Sequence, residues 1–237
     1  MKENRICLSI IIPARNEEEA ITSTIANLLK HIDTRTTEII VVDDHSTDDT
    51  SRVIEVISQN NPLVRLVKNV SEPGFANALL TGFNHARGEY VLPVMADGCD
   101  APETIPLMLE KAESGYDLVC GCRYMKGSGK YGGPFLQSFF SKFVCLTLHY
   151  IAGISTRDVS NAFKLYRRRM LKNVNLKEKG FAVSMEAALK FHFNEYKICD
   201  VPTVWYGRKK GKSKFRLTRT LSYVKLYLQT LGRRWKK

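Results

Sequence analysis

The first half of the chain alternates short, continuous apolar runs with segments of helical spacing. Leu8 to Pro13 is apolar almost throughout, the pattern of a strand buried on both faces. Glu17 to Lys30 then places Ala20, Ile21, Ile25, Leu28 and Leu29 on one helical face. Glu38 to Val42 predicts a second buried strand. It breaks into DDHSTDD, where Ser46 or Thr47 can cap a helix carrying Val53, Ile54 and Ile57. Leu63 to Val67 is a third strand, Gly74 to Ala86 a helix rich in small residues, and Glu89 to Met95 a fourth strand. A helix over Pro102 to Glu113 and a strand over Asp117 to Gly121 follow. Such alternation predicts an α/β fold with a mostly parallel sheet and helices on both faces.

The second half is less regular. Lys126 to Gly133, KGSGKYGG, reads as a loop. Phe135 to Ile154 is apolar and helical in pattern, but Lys142 and His149 interrupt it, leaving fewer than the ~20 clean apolar residues of a membrane span. It is expected to be a buried or interfacial helix. Val183 to Phe193 predicts another helix and Lys197 to Val204 another strand. In the tail, Leu217, Leu221, Val224, Leu228 and Leu231 recur at four- and three-residue steps, an apolar stripe on a basic helix.

Length and charge sharpen this picture. At 237 residues, with 44% hydrophobic and 25% charged content, the chain suits one well-buried domain with a small appendage. We divide it into residues 1–216 and a C-terminal basic amphipathic helix, 217–237. The net charge of +12 belongs to the tail: no acidic residue follows Asp200, while basic residues are dense from Arg208 to Lys237. The tail is therefore the part that would meet a polyanion. The six cysteines are scattered without a CxxC pair, so neither a zinc site nor a disulfide framework is indicated, and they are expected as small buried hydrophobes. The amino terminus does not have the shape of a signal peptide.

Candidate chemistry gathers at three predicted strand ends. The first gives Pro13, Ala14, Arg15, Asn16 and Glu17, the second Asp43 and Asp44, the fourth Ala96, Asp97 and Asp100. The carboxyl edge of a parallel sheet is where ligands bind in open α/β folds. Acids at the first two ends can accept hydrogen bonds from ribose hydroxyls or a base edge. Asp97 and Asp100 on one turn are hard-oxygen ligands suited to Mg²⁺ or Mn²⁺, although Asp100 is equally placed to cap a helix beginning near Pro102. No GxGxxG or P-loop glycine pattern occurs at these turns, which excludes those dinucleotide and nucleotide motifs.

Three stretches, SIIIPARNEEEAI, IIVVDDHSTDDT and GFANALLTGFNHARGEYVLPVMADGCDAPETI, together resemble family-2 glycosyltransferases of GT-A (Rossmann-like) fold. Within that family the chain is most similar to the dolichol-phosphate mannose synthase group and its bacterial polyprenyl-phosphate relatives, over about Leu8 to Phe215. The resemblance implies transfer of a hexose from a nucleoside-diphosphate sugar, with Mg²⁺ or Mn²⁺ and with inversion at the anomeric carbon. It assigns Pro13, Ala14, Asn16 and Glu17 to the nucleotide-binding first turn and Asp44 to the nucleoside. The family's Asp-x-Asp motif keeps its second member as Asp97, but Met95 stands at the first position, and Asp100 would replace it from the far side of the turn. Arg123 in GCRY matches a basic residue near the phosphates. NAFKLY resembles the family's SGFRLY, with Lys164 for Arg, and Met185 and Glu186 match a Met-Glu pair. Arg208, Lys212, Ser213 and Lys214 resemble a closing RxxGxSK segment that would clamp pyrophosphate.

These roles are physically coherent. Cleavage of the sugar–phosphate bond places negative charge on the departing diphosphate, where a divalent cation with Arg208 and Lys214 would stabilise it. A lipid-phosphate acceptor is already anionic and needs no general base. A glycan hydroxyl acceptor needs one, for which Asp158 is the candidate, unless that carboxylate only caps a loop. A GDP-mannose, UDP-glucose or UDP-GlcNAc donor fits the motifs equally. The tail stripe, its basic residues and Trp235 suit an anionic membrane surface, each basic residue contributing about 1 kcal/mol there. The expected location is cytoplasmic and peripheral on the inner face of a membrane. The competing class, a nucleic-acid binder, is permitted by the basic tail, but no RNA- or DNA-reading motif is present and no nucleic acid is expected.

Overall fold

In a computed structural model of the protein, residues 6–208 and 220–232 are described. Seven strands form the main sheet: β1 (Leu8–Ala14), β2 (Thr37–Asp43), β3 (Val64–Lys68), β4 (Tyr90–Pro93), β5 (Leu118–Cys122), β7 (Lys164–Arg167) and β8 (Ile198–Pro202). Their spatial order is β3-β2-β1-β4-β7-β5-β8. All neighbours are parallel except β7, which runs antiparallel to both β4 and β5. The remaining two, β6 (Gly129–Tyr131) and β9 (Val204–Tyr206), make a separate parallel ribbon.

Strand alternation divides the core between the two faces of the sheet. Ile10 and Ile12 of β1, with Ile39 and Val41 of β2 and Leu92 of β4, pack under α1 (Ile21–Leu28), α2 (Thr50–Asn60) and α4 (Ile105–Glu113). Ile11, Ile40, Val42 and Val91 face the other way. They meet α3 (Phe75–His85), α5 (Phe135–Ala152), α7 (Val183–Phe193) and, through Leu226, α8 (Thr220–Leu231). A short helix, α6 (Arg168–Leu171), follows β7. The small residues of α3 have a reason: a side chain at Gly82 would collide with Ile11. All six cysteines are free thiols, and Cys99, Cys120, Cys122 and Cys145 are buried.

The predicted elements of the first half are present. Differences lie in the second half. The expected strand over Lys197 to Val204 divides at Thr203 into β8 and β9, which join different sheets. The NAFKLY stretch contributes β7, a strand too short to stand out by alternation. The helix over Phe135 to Ala152 is only partly buried: Cys145 and Leu148 face inward, whereas Phe135 is 83% and Ile151 73% exposed, with Leu136, Phe139, Phe140, Phe143 and Tyr150 also outward. In α8 the stripe read from the sequence also faces outward, with Leu221, Val224, Leu228 and Leu231 exposed, while Leu226 and Thr230 are buried. Of the tail's basic residues only Lys225 lies in the described part of this helix; Leu217 and the Arg233 to Lys237 cluster lie outside the described residues. Among the described residues no helix is long and apolar enough to cross a membrane.

Candidate active site

The carboxyl ends of β1, β2, β4 and β5 open on one edge of the sheet. Turns at this edge use left-handed backbone at two non-glycine residues, Asn16 (φ 52°) and His45 (φ 58°), and at Gly98 (φ 70°). Such conformations cost energy and persist where the surroundings hold them. Here the turns lock each other. Asn16 N–H donates to Ser46 Oγ at 3.1 Å, and Thr47 N–H donates to Asn16 Oδ1 at 2.8 Å. Asp44 N–H donates to the Ala14 carbonyl at 2.7 Å. The Asp44 carboxylate accepts from Asn69 Nδ2 at 2.7 Å and from Gly74 N–H at 3.0 Å. Asp43 accepts from Ser46 N–H and Ser51 Oγ. Pro13 and Ala14 close β1, and Ala14 is buried against this edge.

At the end of β4, the Ala96 carbonyl accepts from Thr24 Oγ1 at 2.8 Å, fixing the acidic turn to α1. Asp97 and Asp100 flank Gly98 but differ in environment. Asp97 accepts from Cys99 N–H at 3.2 Å and from Arg208 Nε at 3.3 Å. Asp100 is buried, accepts from Met95 N–H at 2.9 Å, and is pushed up to about 7, chiefly by burial. Arg208, two residues past the end of β9, bridges the first and fourth strand ends: its Nη2 lies 2.8 Å from Glu17 Oε1 and its Nε 3.3 Å from Asp97 Oδ2. The structure thus brings together Glu17, Asp97 and Arg208, residues far apart in the chain.

The residues present suit a divalent cation only in part. Among the described residues no group of three His, Cys, Asp or Glu side chains could by itself hold a metal ion. Asp97 supplies hard oxygens beside a cationic guanidinium, which is the setting for a Mg²⁺ or Mn²⁺ ion that takes most of its shell from phosphate oxygens. Asp100 is the turn's second carboxylate, buried and tied to the Met95 amide.

Arg123, Asp158 and Lys164 form a buried cluster behind the end of β5. Asp158 is fully buried in a bidentate ion pair with Arg123, with Nε–Oδ2 2.7 Å and Nη2–Oδ1 2.8 Å, so it is not a free base. Burial works to raise its pKa, but the charge and hydrogen bonds of Arg123 outweigh this and hold it below the usual carboxylate value. Lys164 is also fully buried. Its Nζ donates to the carbonyls of Val159 and Asn161, so it is not open to a nucleotide phosphate, and burial lowers its pKa. Glu186 is likewise internal, accepting from the Lys177 and Glu178 amides and pairing with Lys190. Lys212, Ser213 and Lys214 lie outside the described residues.

One part of the site escaped sequence reasoning. A cavity of about 360 Å³ is lined by Arg123, Tyr124, Lys130 and Lys142 on its polar side and by Phe135, Ser138 and Phe139 along α5. Lys130 stands on β6 over the Trp205 ring, at 5.0 Å. Burial, then the nearby Arg123 charge, lowers its pKa to about 8. The signal was available: a lysine inside a glycine-rich loop, directly before a phenylalanine-rich helix that carries another lysine.

The mostly parallel α/β sheet, with acids at three adjacent strand ends, an arginine bridging two of them and a basic cavity alongside, has GT-A architecture. The chain belongs to glycosyl transferase family 2, whose profile matches residues 9–174. It is 29% identical over 221 residues to dolichol-phosphate mannosyltransferase of Pyrococcus furiosus, covering 92% of this chain and 62% of that protein. It is also 29% identical over 212 residues to polyprenol monophosphomannose synthase of Mycolicibacterium smegmatis, covering 86% and 79%. The chain therefore spans under two thirds of the length of the first of these relatives. Among solved structures it resembles glucosyl-3-phosphoglycerate synthase from Mycobacterium tuberculosis in complex with Mn²⁺, UDP-glucose and phosphoglyceric acid. The TM-score is 0.72 at 20% identity, over 96% of this chain and 80% of that one. It also resembles a mannosyltransferase from Pyrobaculum calidifontis in complex with GDP-Man and Mn²⁺, with a TM-score of 0.69 at 18% identity, over 98% of this chain and 66% of that one. At these identities the structural likeness speaks to the fold.

Proposed function

We propose that the protein transfers a hexose, with inversion, from a nucleoside-diphosphate sugar to a polyprenyl monophosphate at a membrane surface. The observation that carries this reading is the basic cavity at Arg123, Lys130 and Lys142 opening beside the exposed apolar face of α5. That combination suits a phosphate with a long hydrocarbon chain better than a free sugar hydroxyl. Contiguous exposed apolar surface of this kind marks an interaction site, and the outward leucines of α8 extend it. The names of the relatives point to mannose, and the Pyrobaculum calidifontis complex holds GDP-Man, so GDP-mannose is the donor to test first.

In this reading the nucleotide lies along the ends of β1 and β2, held by Asn16, Glu17 and the Asp44 turn, with its diphosphate toward Asp97 and Arg208. An acceptor phosphate oxygen attacks the anomeric carbon as the bond to the donor's diphosphate breaks, and the bonding electrons leave with the nucleoside diphosphate. The acceptor is ionised near neutral pH, so no protein base has to remove a proton. Arg208 stabilises the charge gathering on the leaving group. A divalent cation, Mg²⁺ or Mn²⁺, held at Asp97 with Asp100, would supply further neutralisation of that diphosphate.

The test is a transfer assay pairing GDP-mannose, UDP-glucose and UDP-GlcNAc with polyprenyl monophosphate in vesicles, each with Mg²⁺ or Mn²⁺. A glycosyl phospholipid product is expected. Transfer only to glycan hydroxyls, or none to lipid phosphate with any donor, overturns the reading.

A further inference from the structure

Arg123 gives both its main chain and one edge of its side chain to a single carboxylate. Its backbone N–H donates to Asp158 Oδ2 at 3.0 Å and its Nε to the same oxygen at 2.7 Å. Nη2 donates to Oδ1 at 2.8 Å and reaches Ser160 Oγ at 3.0 Å. A guanidinium is a rigid planar fork of five donors. This pairing leaves Nη1 without a hydrogen-bond partner among the described residues, on a side chain that lines the cavity. Asp158 in turn is saturated. Its Oδ1 also accepts from Asn161 N–H at 3.2 Å and Ser160 Oγ at 3.3 Å, and Cys145 Sγ lies 3.7 Å away. A carboxylate so engaged has little capacity to take a substrate proton. Behind it, Lys164 Nζ binds the carbonyls of Val159 and Asn161, on either side of Ser160, and so stitches the Asp158 turn to the start of β7. The Arg123 guanidinium, with Lys130 and Lys142 on the same cavity, presents a field suited to an arriving anion.

We propose that Asp158 is a positioning residue for the acceptor phosphate: it aims the open edge of Arg123 into the cavity, and Lys164 braces the turn that carries it. This rests on the acceptor reading given above. Holding the guanidinium before the substrate arrives removes the ordering cost that a surface arginine would incur on binding.

The experiment measures acceptor KM and kcat with polyprenyl monophosphate, donor affinity by calorimetry, and the pH–rate profile. It uses Asp158→Asn, Arg123→Met, their double variant, Ser160→Ala and Lys164→Met, with thermal melts confirming that each folds. Asp158→Asn is expected to raise acceptor KM about tenfold, the scale of one charge-assisted contact, with donor affinity unchanged. Because Asp158 acts through Arg123, the double variant should be no worse than Arg123→Met alone. Ser160→Ala and Lys164→Met should shift the same KM in the same direction by about threefold, a weaker hydrogen-bond effect. These two carry the test if Asp158→Asn does not fold. A fall in kcat at constant acceptor KM, with loss of the acidic limb of the profile, would make Asp158 a base and overturn the proposal, as would additive effects in the double variant. Absence of wild-type transfer to any polyprenyl monophosphate would instead overturn the acceptor reading, and this proposal with it.

Discussion

At the ends of β1, β2 and β4 each acidic side chain of the site is already engaged: Glu17 and Asp97 by Arg208, Asp44 by Asn69 and Gly74, Asp100 by the Met95 amide. Across the β6–β9 ribbon the situation is reversed. Lys130 and Lys142 have no carboxylate partner among the described residues, and the flanking Phe135 and Phe139 are exposed. One side of the site is electrically compensated within the protein. The other holds uncompensated cations beside an apolar wall. A compensated acidic site can admit an anionic nucleotide only when more positive charge enters with it, which is why that side calls for a divalent ion. An uncompensated basic cavity needs no such help and will attract a phosphate by itself.

This contrast can be broken from either side. The largest effect should come from Asp97→Ala, which leaves Arg208 and the incoming diphosphate without the less buried of the turn's two carboxylates. Transfer should fall on the order of 10³-fold, and titration calorimetry should register weakened Mn²⁺ uptake in the presence of nucleoside diphosphate. If metal uptake is intact, the ion sits elsewhere. On the acceptor side, Lys130→Gln should raise acceptor KM by about tenfold while leaving donor affinity alone. The same residue gives a pH test. Its pKa lies near 8, so the cation is present at pH 7 and lost as pH rises through that value. A bound phosphate dianion favours the charged form, so the midpoint should move upward when the cavity is occupied. Acceptor affinity should therefore weaken between about pH 8 and 10 in the wild type, and flatten in Lys130→Gln. The smallest effect should follow from Phe139→Ser with Phe143→Ser on the outer face of α5: binding to anionic vesicles should drop by about tenfold, with turnover on a short-chain acceptor in solution little changed.

How much of this could be read from the sequence differs between the same two regions. The strands β1, β2 and β4 are runs buried on both faces, so their apolar character is unbroken and their polar ends stand out. Glu17, Asp44 and Asp97 could be placed at strand ends for that reason. The basic cavity and the cluster behind it draw on β6 and β7, which have three and four residues, too few for a period to declare itself. Lys164 shows a further limit: a lysine at a strand start reads as solvated, and only the folded turn supplies the two carbonyls that let it be buried. Asp158 was visible as a carboxylate, but its guanidinium partner lies 35 residues away in the chain. The α8 stripe teaches something different. Periodicity reports that apolar residues share a face, not which way that face points. Here Leu226 and Thr230 form the packed side, and the more regular leucine row is the one left outside.

The β6–β9 ribbon ties the two regions together. Tyr206 N–H donates to the Cys99 carbonyl at 2.9 Å, inside the acidic turn, and Gly207 N–H donates to the Tyr131 carbonyl at 2.6 Å, one residue past Lys130. Gly207 packs so closely on Gly132 and Gly133 that a methyl group there would press on backbone atoms. Tyr206 and Gly207 thus join the acidic turn to the loop that carries Lys130, so a change of length or backbone shape there would move the acidic turn and the basic cavity together rather than either one separately.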